Sequence, residues 1–344
     1  MQSAQGGGMG LADKTELVVV VPATVSLVRQ RCVLAARFVI GLMVGLLAGV
    51  LAGEPARAGG YAPQQKYIID VAPPGLPPAR LYAEELGAGP TVLLLHGLGG
   101  SGYTWRYMVA ALARHHRIIA LDLKGFGRSS KPFDQNYAAL DQAAYVRAFI
   151  EARGLRQITL VGHSFGGAVA MALTLDLNRT QSDRVSRLVL LDTPALPQTL
   201  SPTVELLQQP VVPKLALSLL PPLLVAKLSL FNDDGAFAHL TPNDVSMYAA
   251  PLADPGAAHA LVTTAQRIVP ENFAALIRRY PAIHQPTLLL WCRHDTVVPV
   301  STGVRLARLL PRARLQLIDR CGHTPAEENP GATTAHLLRF LHQK

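Results

Sequence analysis

Ile158-Thr159-Leu160-Val161-Gly162-His163-Ser164-Phe165-Gly166-Gly167 is a short aliphatic run that ends in glycines around a single serine. The run reads as a strand covered on both faces. The small residues beyond it, Ala168, Ala170 and Ala172, suit a helix lying close against a sheet. The junction matches G-x-S-x-G at a strand-to-helix turn. A serine on so tight a turn has a strained backbone, and side chains at Gly162 and Gly166 would collide with the adjoining strand and helix. The free N–H groups of the helix start face any negative charge that develops beside Ser164. Ser164 is therefore the candidate nucleophile, and the backbone N–H of Phe165 a candidate oxyanion donor.

Working outward, residues 67–71 and 80–85 read as two strands near an edge, separated by the proline-rich stretch 73–78. Aliphatic runs follow at 91–95, 117–121, 157–161, 187–191, 287–291 and 314–318, and helical stretches at 103–114, 140–153, 164–177, 301–310 and 331–342. Strand and helix in turn predict an α/β class fold: a mostly parallel eight-stranded sheet with helices on both faces. The alternation breaks over 195–282, which is rich in proline and has no strand with its own crossover helix. That stretch reads as a helical cap inserted after the sixth strand, so residues 59–194 and 283–344 form the core. Inside it, 211–231 is apolar apart from Lys214 and Lys227 and bends at Pro221-Pro222. Its two readings are packing between cap and sheet and the wall of an apolar substrate pocket.

A serine hydroxyl needs a base, and the base needs a third group to fix its tautomer. Downstream of the serine, the run 287–291 leads into Cys292-Arg293-His294-Asp295, and 314–318 into Asp319-Arg320-Cys321-Gly322-His323. Both segments fall just past the carboxyl ends of parallel strands, where the crevice of an α/β sheet lies. Asp295 and His323 are the candidate acid and base. Asp192, after the sixth strand, is the reserve acid, and His294 a bystander. The loop His96-Gly97-Leu98-Gly99-Gly100 supplies the second oxyanion donor, the N–H of Leu98, with His96 ordering the loop by hydrogen bonds and Gly97 allowing close approach. The same glycines, 97–102, also satisfy G-x-G-x-x-G, with Asp122 placed where a ribose-binding acid would be. That rival reading is an NAD- or FAD-binding oxidoreductase. It is weakened by His96 ahead of the glycines, by two strands preceding the motif, and by the separate glycine turn Asp122-Leu123-Lys124-Gly125-Phe126-Gly127-Arg128-Ser129.

The 344 residues are 49% apolar and 16% charged, which excludes a disordered polyelectrolyte. The net charge of +9 is scattered in runs of no more than two basic residues, so nucleic acid is not an expected partner. Three cysteines without a C-x-x-C pair, and no H-E-x-x-H, offer no visible metal site, and no cofactor is expected. Part of the apolar excess lies near the start, where 38–53 is uncharged and follows Arg29, Arg31 and Arg37. This stretch falls short of the roughly 20 residues a spanning helix needs. Ala56-Arg57-Ala58 has the small-x-small form of a signal-peptidase site. Residues 1–58 are expected to be a signal peptide cleaved after Ala58, or else an uncleaved membrane anchor. More than 30 residues precede Arg37, a longer first region than such leaders have, and one reading is that translation starts downstream of Met1. The rest of the chain is then periplasmic or extracellular.

From about Tyr61 to Lys344 these motifs resemble the α/β-hydrolase superfamily. The likeness is greatest to its small capped members: esterases, meta-cleavage C–C hydrolases, non-metal haloperoxidases and epoxide hydrolases. The resemblance implies an α/β-hydrolase fold with an inserted cap, and a Ser164-His323-Asp295 triad acting on a small molecule without cofactor or metal. Epoxide hydrolases and dehalogenases of that group use an aspartate nucleophile, so Ser164 sets those activities aside. The remaining readings are a carboxylic ester hydrolase for small to medium apolar esters and a C–C hydrolase. Where many relatives have glycine, this chain has Cys292. Without the leader only Cys292 and Cys321 remain, at matching ends of neighbouring strands expected about 4.8 Å apart, within disulfide range. In an oxidising compartment the expectation is a Cys292–Cys321 bond; the alternative is two buried thiols.

Overall fold

The sheet begins with β1 (Gln65–Val71) and β2 (Ala79–Leu86), an antiparallel pair in which Gln65 faces Glu85 and Val71 faces Ala79. It continues through β3 (Thr91–Leu95), β4 (Arg117–Leu121), β5 (Ile158–His163), β6 (Val185–Leu191), β7 (Thr287–Cys292) and β8 (Ala313–Ile318). The eight strands lie in the order β1-β2-β4-β3-β5-β6-β7-β8, parallel from β4 to β8. This computed structural model describes residues 63–231 and 240–343. The expected leader, 1–58, lies outside the described residues, as do 232–239 within the expected cap.

Successive side chains in a strand face opposite sides of the sheet. Leu93 and Leu95 of β3, Leu160 of β5 and Leu289 of β7 pack on one face, against α2 (Ala139–Ala152) and α3 (Phe165–Thr180). Val92, Leu94, Val161 and Leu290 pack on the other, against α1 (Arg106–Leu112) and α12 (Pro330–Leu341). Both faces are apolar because both are covered, which is why β3, β5 and β7 read as continuous aliphatic runs. β8 differs. It is an edge strand whose residues alternate between half-buried and exposed, with Arg314 and Gln316 at the exposed positions and only Ile318 fully buried. The single helix expected over 103–114 is two pieces, a 3₁₀ turn at Gly102–Trp105 and then α1. The Ser101 hydroxyl accepts from Tyr103 N at 3.3 Å and starts that turn early.

Between β6 and β7 run α4 (Pro202–Leu207), α5 (Val212–Leu219), α6 (Pro222–Phe231), α7 (Pro242–Ala249), α8 (Ala257–Gln266) and α9 (Phe273–Ile277). Leu196, Leu217 and Leu261 join this segment to the core. The apolar stretch 211–231 does not all pack inward. Val225 and Ala226 are buried, whereas Val211, Leu215, Leu219 and Leu223 face outward. Beyond β7 the chain forms α10 (Val300–Leu309) and the single turn α11 (Pro325–Glu328). Among the described residues no helix is long and apolar enough to cross a membrane.

Candidate active site

Ser164 sits between β5 and α3 with φ 50° and ψ −121°, in a region that non-glycine residues seldom adopt. Such a conformation costs on the order of 1–3 kcal/mol and persists only where its surroundings impose it. Here Ser164 N donates to Leu191 O at 2.8 Å, and Ser164 O accepts from Gly167 N at 2.8 Å and Ala168 N at 3.2 Å. A Cβ on Gly162 would stand 2.4 Å from Gly166 O, and one on Gly166 would stand 2.4 Å from both His96 O and Leu95 O. Backbone that close leaves room for glycine alone.

β7 and β8 bring Asp295 and His323 to this serine. Asp295 Oδ1 accepts from Val297 N and Val298 N, each at 2.8 Å, which fixes the orientation of the carboxylate. Its Oδ2 lies 2.9 Å from His323 Nδ1, and His323 Nε2 lies 3.0 Å from Ser164 Oγ. The carboxylate therefore keeps the proton on Nδ1, so that Nε2 presents its lone pair to the hydroxyl. Cys292 and Cys321 form a disulfide, with Cα atoms 5.2 Å apart, between the segments that carry acid and base.

Two residues that sequence reasoning left without a role hold the histidine loop. The Glu328 carboxylate accepts from the backbone N–H of Gly322, His323 (3.0 Å) and Thr324 (2.7 Å), and from the Thr324 hydroxyl (2.7 Å). His163 donates from Nε2 to the His323 carbonyl at 2.7 Å. Burial, and then the charge His323 would carry, push the His163 pKa down to about 3, so its ring stays neutral. An acid five residues past the histidine and two before Pro330 was the only hint of the first. His163 was in view within the serine motif but gave no sign of its partner.

Asp192 is fully buried behind the triad. Its Oδ1 accepts from Cys292 N at 2.9 Å, and burial followed by the Asp295 charge raises its pKa well above the ordinary range. Asp295 rather than this reserve acid reaches His323, because Asp192 is turned onto the backbone of β7. His294 is exposed.

The loop after β3 lies against Ser164. A Cβ on Gly97 would stand 3.0 Å from His163 Nδ1 and 3.2 Å from Ser164 Cβ. His96 donates from Nδ1 to Gly97 O at 2.7 Å and accepts from Leu123 N at 3.0 Å through Nε2. Burial pushes its pKa down to about 4. Among the described residues, neither the Leu98 N–H nor the Phe165 N–H donates to a backbone acceptor. Asp122, which the dinucleotide reading required, is buried instead and accepts from Gly102 N at 2.6 Å and Arg128 N at 2.7 Å. Gly102, the last of those glycines, is thus bonded to the acid itself, so the carboxylate is engaged by backbone N–H groups where the dinucleotide reading needs it free for a ribose. Among the described residues there is no cluster of three or more side chains fit to hold a metal ion.

A strained serine on a nucleophile turn, bonded to a histidine that is bonded to a carboxylate, is an arrangement able to carry out acyl transfer. Residues 90–330 match the α/β hydrolase fold family, and the chain belongs to it as a hydrolase. It is 30% identical over 258 residues to the 2-hydroxy-6-oxo-2,4-heptadienoate hydrolase of Pseudomonas putida, spanning 72% of this chain and 87% of that one. It is 28% identical over 270 residues to a 2-hydroxymuconate semialdehyde hydrolase of Pseudomonas, spanning 76% and 90%. Among solved structures, a thermophilic esterase from Thermogutta terrifontis superposes with a TM-score of 0.67 at 24% identity, covering 80% of this chain and 98% of that one.

Proposed function

We propose that this hydrolase cleaves carboxylic esters through an acyl-enzyme. The contact that carries the reading is the Ser164–His323–Asp295 chain of hydrogen bonds at 3.0 and 2.9 Å. His323 Nε2 takes the hydroxyl proton as Ser164 Oγ attacks the ester carbonyl. Asp295 stabilises the resulting imidazolium. The N–H groups of Leu98 and Phe165 receive the negative charge on the carbonyl oxygen, and His323 returns the proton to the departing alkoxide. Water then repeats the sequence on the acyl-serine, and the free acid leaves.

The helices between β6 and β7 act as a cap in this reading. Leu217, Pro222, Val225, Leu252 and Leu261 line a gap of about 10 Å³ beneath these helices with apolar side chains, too small for a substrate group unless the helices part, and this lining is the support for an apolar acyl or alcohol part. Leu261 connects that gap to the oxyanion loop, since a Cβ on Gly99 would touch it at 3.7 Å. C–C hydrolysis on the same triad is the second reading, supported by the dienoate hydrolase relative. Residues 1–58 are read as the export leader or anchor. The Cys292–Cys321 pairing suits the oxidising compartment outside the cytoplasm.

A fluorophosphonate probe should label the wild-type chain and not Ser164→Ala. No labelling of folded wild type overturns the serine mechanism. Rates on p-nitrophenyl esters of increasing chain length, set beside consumption of a 2-hydroxy-6-oxo-2,4-heptadienoate, then separate the two readings. Turnover of the dienoate alone would reject the ester.

A further inference from the structure

The one-turn helix α11 begins on the residue that follows His323. The Thr324 carbonyl accepts from Glu327 N and Glu328 N, each at 2.9 Å. In return, the Glu328 carboxylate accepts from Thr324 N at 2.7 Å, from the Thr324 hydroxyl at 2.7 Å and from His323 N at 3.0 Å. Backbone and side chain thus close a ring of hydrogen bonds confined to residues 323–328. A ring that short transmits displacement as one piece, so a tilt of α11 reaches the backbone of His323.

Consecutive residues on a helix project about 100° apart. While Glu328 turns to the histidine loop, Glu327 turns to a different set of partners. Its Oε1 accepts from the Tyr248 hydroxyl at 2.6 Å and pairs with the Arg106 guanidinium. Tyr248 belongs to α7, among the β6–β7 helices, whereas Arg106 belongs to the core and also meets Asp244 of α7 at 3.0 Å. Burial raises the Glu327 pKa, and Arg106 and then Tyr248 bring it back down. Each donor therefore supports the charge through which α11 is held. Removing the Tyr248 hydroxyl leaves Glu327 held by Arg106 alone.

We infer that Tyr248 is a positioning residue for His323. Its hydroxyl, acting through Glu327, sets the tilt of α11 and with it the 3.0 Å contact between His323 Nε2 and Ser164 Oγ. The base is thereby held in line while α7 is seated on the core. This inference rests on Ser164 as the nucleophile, and it is independent of whether an ester or a C–C bond is cleaved.

Tyr248→Phe removes the hydroxyl and keeps the ring, which packs edge-on against Tyr103 with centroids 5.9 Å apart. It also removes a 3.5 Å contact between the hydroxyl and Thr104 Oγ1, so the test must separate the two routes. The full chain is reacted with a fluorophosphonate: Ser164 Oγ attacks phosphorus, fluoride leaves, and His323 takes the hydroxyl proton. Wild type, Tyr248→Phe, Glu328→Ala and the double variant are compared at a temperature where circular dichroism shows each of them folded. The saturating rate of labelling reports the alignment of base and serine, and the probe concentration at half-saturation reports access past the helices.

Tyr248→Phe should lower the saturating rate about tenfold and leave half-saturation near the wild-type value, because small misplacements of a reacting group act on the chemical step. In the Glu328→Ala background the same substitution should cost less than about twofold, since the connection to His323 is already cut. A tenfold loss in both backgrounds would route the effect through Thr104 and overturn the proposal. An unchanged rate in Tyr248→Phe, with or without a lower unfolding temperature, would overturn it too, as would a change confined to half-saturation. Failure of folded wild type to label is a separate result, which overturns the Ser164 mechanism and this inference with it.

Discussion

Asp192 and Asp295 stand behind one histidine, and the number of donors each receives divides their roles. Asp295 has two backbone N–H groups on one oxygen and His323 on the other. Asp192 has one N–H, from Cys292, and burial followed by the charge of Asp295 shifts it toward its protonated form by raising its pKa well above the ordinary range. Asn closely mimics a protonated aspartic acid and retains the acceptor. Asp192→Asn should therefore keep ester turnover within about threefold, whereas Asp295→Asn should lose about 10³–10⁴-fold in kcat. Equal losses in the two variants would show that Asp192 serves the histidine after all. The neutral ring of His163 makes a prediction in pH. Its pKa falls from 6.5 unfolded to about 3 folded, so its contribution is complete above pH 6.5 and fades as the solution is acidified toward 3. Urea denaturation of wild type and His163→Gln should show the wild-type advantage shrinking by about 2 kcal/mol between pH 7.5 and 5. An advantage that stays constant would mean the ring is charged in the folded protein.

At the scale of elements, the proposed catalytic geometry depends on the loop that leaves β8, and three separate contacts hold it. The disulfide ties it to β7, Glu328 gathers three of its backbone N–H groups, and His163 donates to the carbonyl of His323, the proposed base. Glu328→Ala leaves those N–H groups without an acceptor. It should lower kcat more than tenfold while KM for a short ester stays near the wild-type value, and Glu328→Gln should restore only part of the loss. A rise in KM alone would place Glu328 in substrate binding. The disulfide closes a segment of 29 residues, which by chain entropy corresponds to about 3–4 kcal/mol. The double Cys292→Ala, Cys321→Ala variant should lose about that much in denaturant unfolding; an unchanged midpoint would mean the bond adds nothing. The legibility of these elements follows from how narrowly physics restricts them. β3, β5 and β7, covered on both faces, admit little except aliphatic residues, and the turn at Ser164 admits only glycine at 162 and 166, so strands and nucleophile stood out in the sequence. Glu328 did not, because collecting backbone N–H groups imposes no recurring pattern on its neighbours. The outward leucines of α5 read as buried for the opposite reason. Apolar character alone does not record which side of a helix faces the core.

In the molecule as a whole, β3 and β5–β8 run parallel with their carboxyl ends on one edge, which gathers Ser164, Asp192, Asp295 and His323 there. A buried ion cluster centred on Arg106, a residue of the core, ties the β6–β7 helices to that core. Its Nε lies 3.0 Å from Asp244 of α7, and its guanidinium also pairs with Glu327 of α11. Tyr103 and Tyr107 flank the guanidinium with ring centroids at 4.4 and 4.2 Å, while Tyr103 donates to Asp244 at 2.8 Å and Tyr248 to Glu327 at 2.6 Å. Removing one partner of a buried pair leaves an uncompensated charge, a loss of about 3–5 kcal/mol, whereas removing the charges together costs far less. Arg106→Met should therefore unfold at markedly lower urea, and Arg106→Met combined with Glu327→Gln should recover part of the difference. Burial already raises the Glu327 pKa with Arg106 in place, and losing the arginine raises it further. A carboxyl with a raised folded pKa is tolerated at low pH and becomes destabilising as pH rises through that value. The penalty of Arg106→Met should thus be smaller at pH 5 than at pH 8, and a penalty equal at both would assign the loss to the packing of Arg106 between the tyrosines and not to its charge.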